Sequence, residues 1–198
     1  MKPLPFQAGS LNGLSERLIQ SHHENNYAGA VKNLNRVEVE LSQLTKDTPP
    51  FVVGALKERE LTFKNSATLH ELYFGNLGGD GKATGRIERA LTEAHGSLSG
   101  WEAHFRAVGL ALGGGSGWAV LAYDLHRGAV TTFSGGGHPT TMALAAPLLV
   151  LDMFEHAYAI DYGAAAAKYL AAFLANVQWD VVNARLERAE KAAAALRV

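Results

Sequence analysis

MALAAPLLVLDMFEHAYAIDY, residues 142–162, decides how this chain is read, because an almost unbroken apolar run ends there in an acid and a histidine. The run through Phe154 reads as a buried strand that ends at Asp152. His156 follows four residues later, one helical turn away on the same side. An ionised carboxylate stranded among apolar groups costs several kcal/mol unless it is paired. Asp152 therefore calls for a partner.

Further from this stretch, two more histidines lie on apolar faces. Residues 14–35 read as a helix: Leu14, Leu18 and His22 recur every four residues, Leu34 lies further along, and Ser10 and Ser15 are candidate N-caps. Residues 61–77 form another, with Phe63, Ala67, His70, Phe74 and Leu77 on one face. A lone histidine on such a face is ordinarily a core residue satisfied by a hydrogen bond. Three inward histidines with one inward acid are better explained by a shared cation. His23 points roughly 100° away from His22 on its helix, and His95, His104 and His126 lie in polar settings, so these four are read as non-ligands. The chain has no cysteine, which excludes thiolate zinc, iron–sulfur clusters, disulfides and a cysteine nucleophile. Histidine and carboxylate donors favour Fe, Mn or Zn.

The rest of the chain sets the frame. Its 198 residues suffice for one domain or two small ones that share a core. Lys and Arg number 18 against 19 Asp and Glu, a balance that argues against nucleic acid or an anionic membrane as partner. MKPLPFQAGS shows no secretory pattern and no stretch approaches a membrane span, so a soluble, cytoplasmic protein is expected. Helical patterning begins again near Thr45 and is interrupted at Pro49-Pro50. GNLGGDGKATG, residues 75–85, reads as the hinge between two halves, 1–80 and 81–198. After it, 84–108 reads as helix, WAVLAYDL and RGAVTTFS as a strand and its hairpin partner, and the chain from Tyr158 on as helix ending in a charged, alanine-rich tail. The expected fold is α+β: an N-terminal α-helical hairpin, then a C-terminal α/β part with a small antiparallel sheet of about three strands. Several motifs fail. Gly81-Lys82 lacks the other phosphate-loop residues, HELYF (70–74) ends in Phe74 where a zinc protease needs its second histidine, and Gly113–Gly117 precedes a strand instead of opening a helix.

LDMFEHAYAIDY resembles the Asp-x-Trp-Glu-His-Ala-Tyr signature of the iron/manganese superoxide dismutases, with Phe154 in the tryptophan's place. SHHENNYAGAVKNLN, HELYF, GGGSGWAVL and NVQWD resemble further motifs of that family, and together they span nearly the whole chain. The resemblance implies His22, His70, Asp152 and His156 as ligands of one Fe or Mn ion per chain, and dismutation of superoxide to O2 and H2O2. It implies a homodimer or a dimer of dimers, with Glu155 reaching the partner's His156 and Tyr158 in the same interface motif. Trp118, Tyr73, Phe74 and Phe154 would wall the metal. Around it the sequence departs from the family: Ala30 stands where the family has its gateway tyrosine, and Asn26 where it has a histidine. Ser66 stands at one of the two places that supply a glutamine, and Lys168 is the nearest cation to a missing arginine. Tyr27 and His138 are the expected replacements in proton handling. With the relay so altered, the alternative is a metal-binding protein of this fold with little dismutase activity, serving as another oxidoreductase; a structural module with relic histidines is the third reading.

Overall fold

Ser15 starts the first helix. Its hydroxyl accepts the Leu18 N–H at 3.1 Å and donates to Asp161, which also accepts the Ser15 N–H at 2.7 Å. The computed structural model describes residues 1–196. From Ser15, α1 (Glu16–Ser21) passes through a π-helical turn, His22–Tyr27, into α2 (Ala28–Ser42). This helix is longer than the 14–35 segment read from periodicity. The π turn spaces stacked residues five apart, so Tyr27 and not Asn26 follows His22 inward: Tyr27 is buried and Asn26 only half-buried.

Pro49-Pro50 does not interrupt a helix as expected; it starts one. Pro50 is the first residue of α3 (Pro50–Gly75), where a missing N–H costs nothing and a fixed φ favours the helix. The residues from Thr45 to Thr48 form a turn and not the expected helix, and the helix read at 61–77 is the C-terminal part of one long rod, which packs along α2 as a helical hairpin. The glycine-rich passage expected to act as a hinge is strapped down instead. Gly79 and Gly81 donate to the Asn176 and Val177 carbonyls at 3.0 and 3.2 Å, and a Cβ on Gly79 would lie 2.3 Å from the Val177 oxygen. Only glycine permits that approach.

Two helices, α4 (Gly85–His95) and α5 (Leu98–Leu110), replace the single stretch read at 84–108, because Gly96 adopts a left-handed φ of 77° and ends α4. The sheet follows as β1 (Trp118–Asp124), β2 (Ala129–Gly135) and β3 (Ala145–Asp152), antiparallel in the order β2-β1-β3. β1 is buried along its whole length, and its register sets Trp118 opposite Asp152. Pro147 and Leu149 pair with adjacent residues of β1, so Leu148 bulges. The short α6 (Ala159–Tyr162), then α7 (Ala166–Ala175) and α8 (Trp179–Leu196), close the fold.

Two side chains lock these parts together. Arg185 of α8 donates to the bulged Leu148 carbonyl at 2.8 Å and to the Leu72 carbonyl near the end of α3 at 3.0 Å; burial lowers its pKa to about 10, which leaves it charged at neutral pH. Asn76 accepts the Val150 N–H at 2.9 Å and donates to the Val150 carbonyl at 3.3 Å. The end of α3 is thereby tied to β3, and His70 to Asp152. One apolar core runs from Leu11 to Ala193 through both halves. No helix among the described residues is long and apolar enough to cross a membrane.

Candidate metal centre

β3 delivers Asp152 to the middle of the molecule, fully buried. The Phe154 N–H donates to its Oδ1 at 2.9 Å, which fixes the carboxylate plane and aims Oδ2 at three imidazoles. The Nε2 atoms of His22, His156 and His70 lie 3.1, 3.2 and 3.6 Å from Oδ2. One ligand atom from each of the four residues falls within 4.8 Å of all the others. His22 comes from the π turn, His70 from α3, and His156 from a single 3-10 turn, Glu155–Ala157. The four-residue spacing of Asp152 and His156 thus works through a strand end and a tight turn, and not through the helical turn read from sequence.

Burial holds the His22 imidazole below its usual pKa and lowers that of His70 to about 3, so both rings are neutral at physiological pH. Burial opposes ionisation of Asp152, but hydrogen bonds from His156 and His22 outweigh it and keep the carboxyl well below its usual range. The set is three imidazoles, those of His22 and His70 held neutral by burial, around one carboxylate.

His70 shows why this set fits a cation. Its Nδ1 lies 2.7 Å from the Ser66 carbonyl, which can only accept, so Nδ1 carries the proton. Nε2 therefore bears a lone pair, is buried without a hydrogen-bond partner, and faces the Asp152 oxygen. Two lone pairs aimed at each other in a dry interior are unfavourable unless a positive ion lies between them. The Ser66 contact also sets the ring orientation in the way outer hydrogen bonds orient metal-binding histidines. Three nitrogens and one oxygen suit iron or manganese.

Aromatic rings enclose the cluster. Trp118 meets His70 edge-on at 5.1 Å between centroids, Tyr73 and Phe74 lie 5.1 and 4.9 Å from His22, and Phe154 stacks on His156 at 5.3 Å. His138 stacks on Phe154 at 4.7 Å, and its centroid is 6.2 Å from that of His70. Trp118 donates its indole N–H to His138 Nδ1 at 3.0 Å, and Asn65 holds the His138 carbonyl at 3.0 Å. With Nδ1 accepting, neutral His138 carries its proton on Nε2; burial lowers its pKa.

Tyr27 comes to the site by its ring and not by its hydroxyl. The ring lies 6.1 Å from that of His70, nearly parallel to it, while the hydroxyl accepts the Lys2 N–H at 2.9 Å and donates to Glu71 at 3.0 Å. Asn26 makes no side-chain hydrogen bond among the described residues, Ala30 is buried, and Lys168 is exposed on α7. Tyr158 is buried against Tyr169 at 5.1 Å, and Glu155 is exposed. His23 turns to the Lys2 carbonyl at 3.0 Å. Tyr169 has no precedent in the sequence reading: from α7 its hydroxyl donates to the Asp152 carbonyl at 2.7 Å and sits 3.2 Å from the Tyr73 hydroxyl. In the sequence it is one apolar position among several in AKYLAAFLA, with nothing to set it apart.

The chain belongs to the iron/manganese superoxide dismutase family: residues 83–185 match the model of the C-terminal domain of iron/manganese superoxide dismutases. It is 45% identical over 190 residues to an iron superoxide dismutase of Cupriavidus metallidurans, with 96% of each chain covered. An iron superoxide dismutase of Aquifex aeolicus is 33% identical, over 95% of this chain and 91% of its own. A manganese superoxide dismutase of Haloferax volcanii is 31% identical over 96% of both chains.

Proposed function

We propose that this protein is a superoxide dismutase holding one iron or manganese ion on His22, His70, Asp152 and His156. The observation that carries the reading is the buried, unprotonated Nε2 of His70 turned toward the Asp152 carboxylate, which a cation alone reconciles. Bound there, iron or manganese supplies one-electron exchange, so that one superoxide is oxidised to O2 and another, with two protons, is reduced to H2O2. Burial holds His22 and His70 neutral as donors, His156 supplies the third imidazole, and Asp152 contributes one negative charge that offsets the ion's. Trp118, Tyr73, Phe74 and Phe154 exclude bulk water. His138 keeps a proton on Nε2 and is the proton donor, since Ala30 and Asn26 offer no acid or base. Tyr27 acts from behind, with its ring on His70 and its proton held by Glu71.

Two chains assemble through the surface that carries Glu155. His156 is 25% exposed and uses only Nε2 toward Asp152, which leaves the other ring nitrogen for the partner's Glu155. The division into 1–80 and 81–198 is kept as two parts around one core, supported by the family match beginning at 83.

Metal analysis and a superoxide-consumption assay on one purified sample test the reading. About one Fe or Mn per chain is expected, with activity lost on chelation. His138→Ala should keep its metal, turn over more slowly and show an altered pH profile. A fully loaded chain that consumes no superoxide with either metal would replace dismutation with the second reading, a metal protein of this fold with another oxidative role, which Asn26 and Ala30 favour.

A further inference from the structure

The turn between α4 and α5 brings two histidines together. His95 is the last residue of α4, Gly96 reverses the chain in the left-handed region, and Ser97 caps α5 by accepting the Gly100 N–H at 2.9 Å. The returning helix carries His104 to within 5.3 Å of His95 between ring centroids, with the planes 35° apart. That separation falls among those of the three imidazoles in the metal centre, which are 4.8, 5.0 and 5.7 Å. It is also what chelation requires. With metal–nitrogen bonds of about 2.0–2.1 Å and a ring nitrogen roughly 1.2 Å from its centroid, two imidazoles at a tetrahedral angle have centroids about 5.2 Å apart.

The surroundings leave the pair available. His95 is half-buried and His104 exposed, so water can complete a coordination sphere. Glu102, two residues before His104, is engaged by Arg106 through two hydrogen bonds of 2.9 and 2.7 Å. Burial and the neighbouring His104 hold the His95 imidazole below its usual pKa, which favours free lone pairs at neutral pH. No third histidine or acid joins them into a larger cluster among the described residues. None of the four residues of the metal centre lies on α4 or α5.

We propose that His95 and His104 form a second, peripheral metal site that takes a borderline divalent cation through two imidazoles and water. Cu(II) should bind most tightly, then Ni(II) and Zn(II), while Mg(II) and Ca(II), which prefer oxygen, should not bind. An ion there ties the end of α4 to α5 across the glycine turn.

The test uses protein already loaded with Fe or Mn and equilibrium dialysis against Cu(II) at micromolar concentration. Wild type should take up one copper per chain beyond its resident metal, with nitrogen hyperfine structure in the electron paramagnetic resonance spectrum. His95→Asn and His104→Asn should each bind it roughly tenfold or more weakly, with resident Fe or Mn unchanged as the measure of correct folding. His126→Asn should bind as wild type. Absence of an additional copper in wild type, copper binding kept in either variant of the pair, or an equal loss in His126→Asn would overturn the assignment.

Discussion

Acidifying the metal-free protein should destabilise it in a window that the buried imidazoles dictate. His70 titrates at about 3 in the folded chain against an ordinary value of 6.5. Between those values the unfolded state binds the extra proton, so stability rises with pH and is lost as pH falls below about 6.5. Each pH unit costs about 1.4 kcal/mol for this one ring, which gives a loss of about 2 kcal/mol at pH 5. At this chain length that lowers Tm by about 4–8 °C. His22, also held low by burial, adds loss in the same direction. Asp152 joins only in stronger acid: its carboxyl is held below the usual range when folded, so it favours the fold until pH falls past the ordinary carboxylate value. Urea titrations of the metal-free protein from pH 7.5 to 5 would measure the slope, with His70→Gln removing one proton's share. A stability that stays flat over this range, or a slope unchanged in His70→Gln, would refute the neutral, buried His70 on which the metal argument rests.

Three further outcomes follow from single contacts. Tyr169→Phe takes the donor from the buried Asp152 carbonyl and should cost about 1–3 kcal/mol, read as a lowered Tm, with weaker metal retention on dialysis against a chelator. Trp118→Phe keeps the ring against His70 but removes the donor to His138 Nδ1; metal content should hold while the pH profile of superoxide consumption moves, because the His138 tautomer is no longer fixed. Glu155→Gln tests the proposed dimer: it should shift the loaded protein toward monomer in sedimentation at micromolar concentration, because a two-fold pair would lose a charge-assisted bond twice.

The parts of the fold legible in the sequence are those where one local signal dominates. The unbroken apolar run of β3, the hairpin partner after β1 and the histidines on two apolar helix faces each follow from the pattern of a short segment. The errors fall where the same residue serves opposite purposes. Pro50 looks like a break because proline ends helices, yet as the first residue of α3 it begins one. Gly79 and Gly81 look like a hinge because glycine is permissive, yet they are there because the backbone of residues 174–178 approaches too closely for any side chain. Local sequence carries the permission, and only the contact decides how it is used.

The same limit applies to the metal centre, one step further out. The four residues that surround the prospective ion stand out because burying three imidazoles and an acid needs a reason, and that reason can be read without a structure. What orients them cannot, because the orienting atoms are backbone groups or residues far away in sequence: the Ser66 carbonyl for His70, the Phe154 N–H for Asp152 and Tyr169 for the strand end, with Trp118 fixing His138 beside them. The π turn is the sharpest case. Six polar or aromatic residues, HHENNY, show no apolar period from which to infer a wider turn, and counting in α-helical steps selects Asn26 as the inward neighbour of His22. The five-residue step selects Tyr27 instead, and its hydroxyl is then claimed by Lys2 and Glu71. That leaves His138, named in the sequence only through the family resemblance, as the proposed group for proton handling; its loop position follows from no helical pattern.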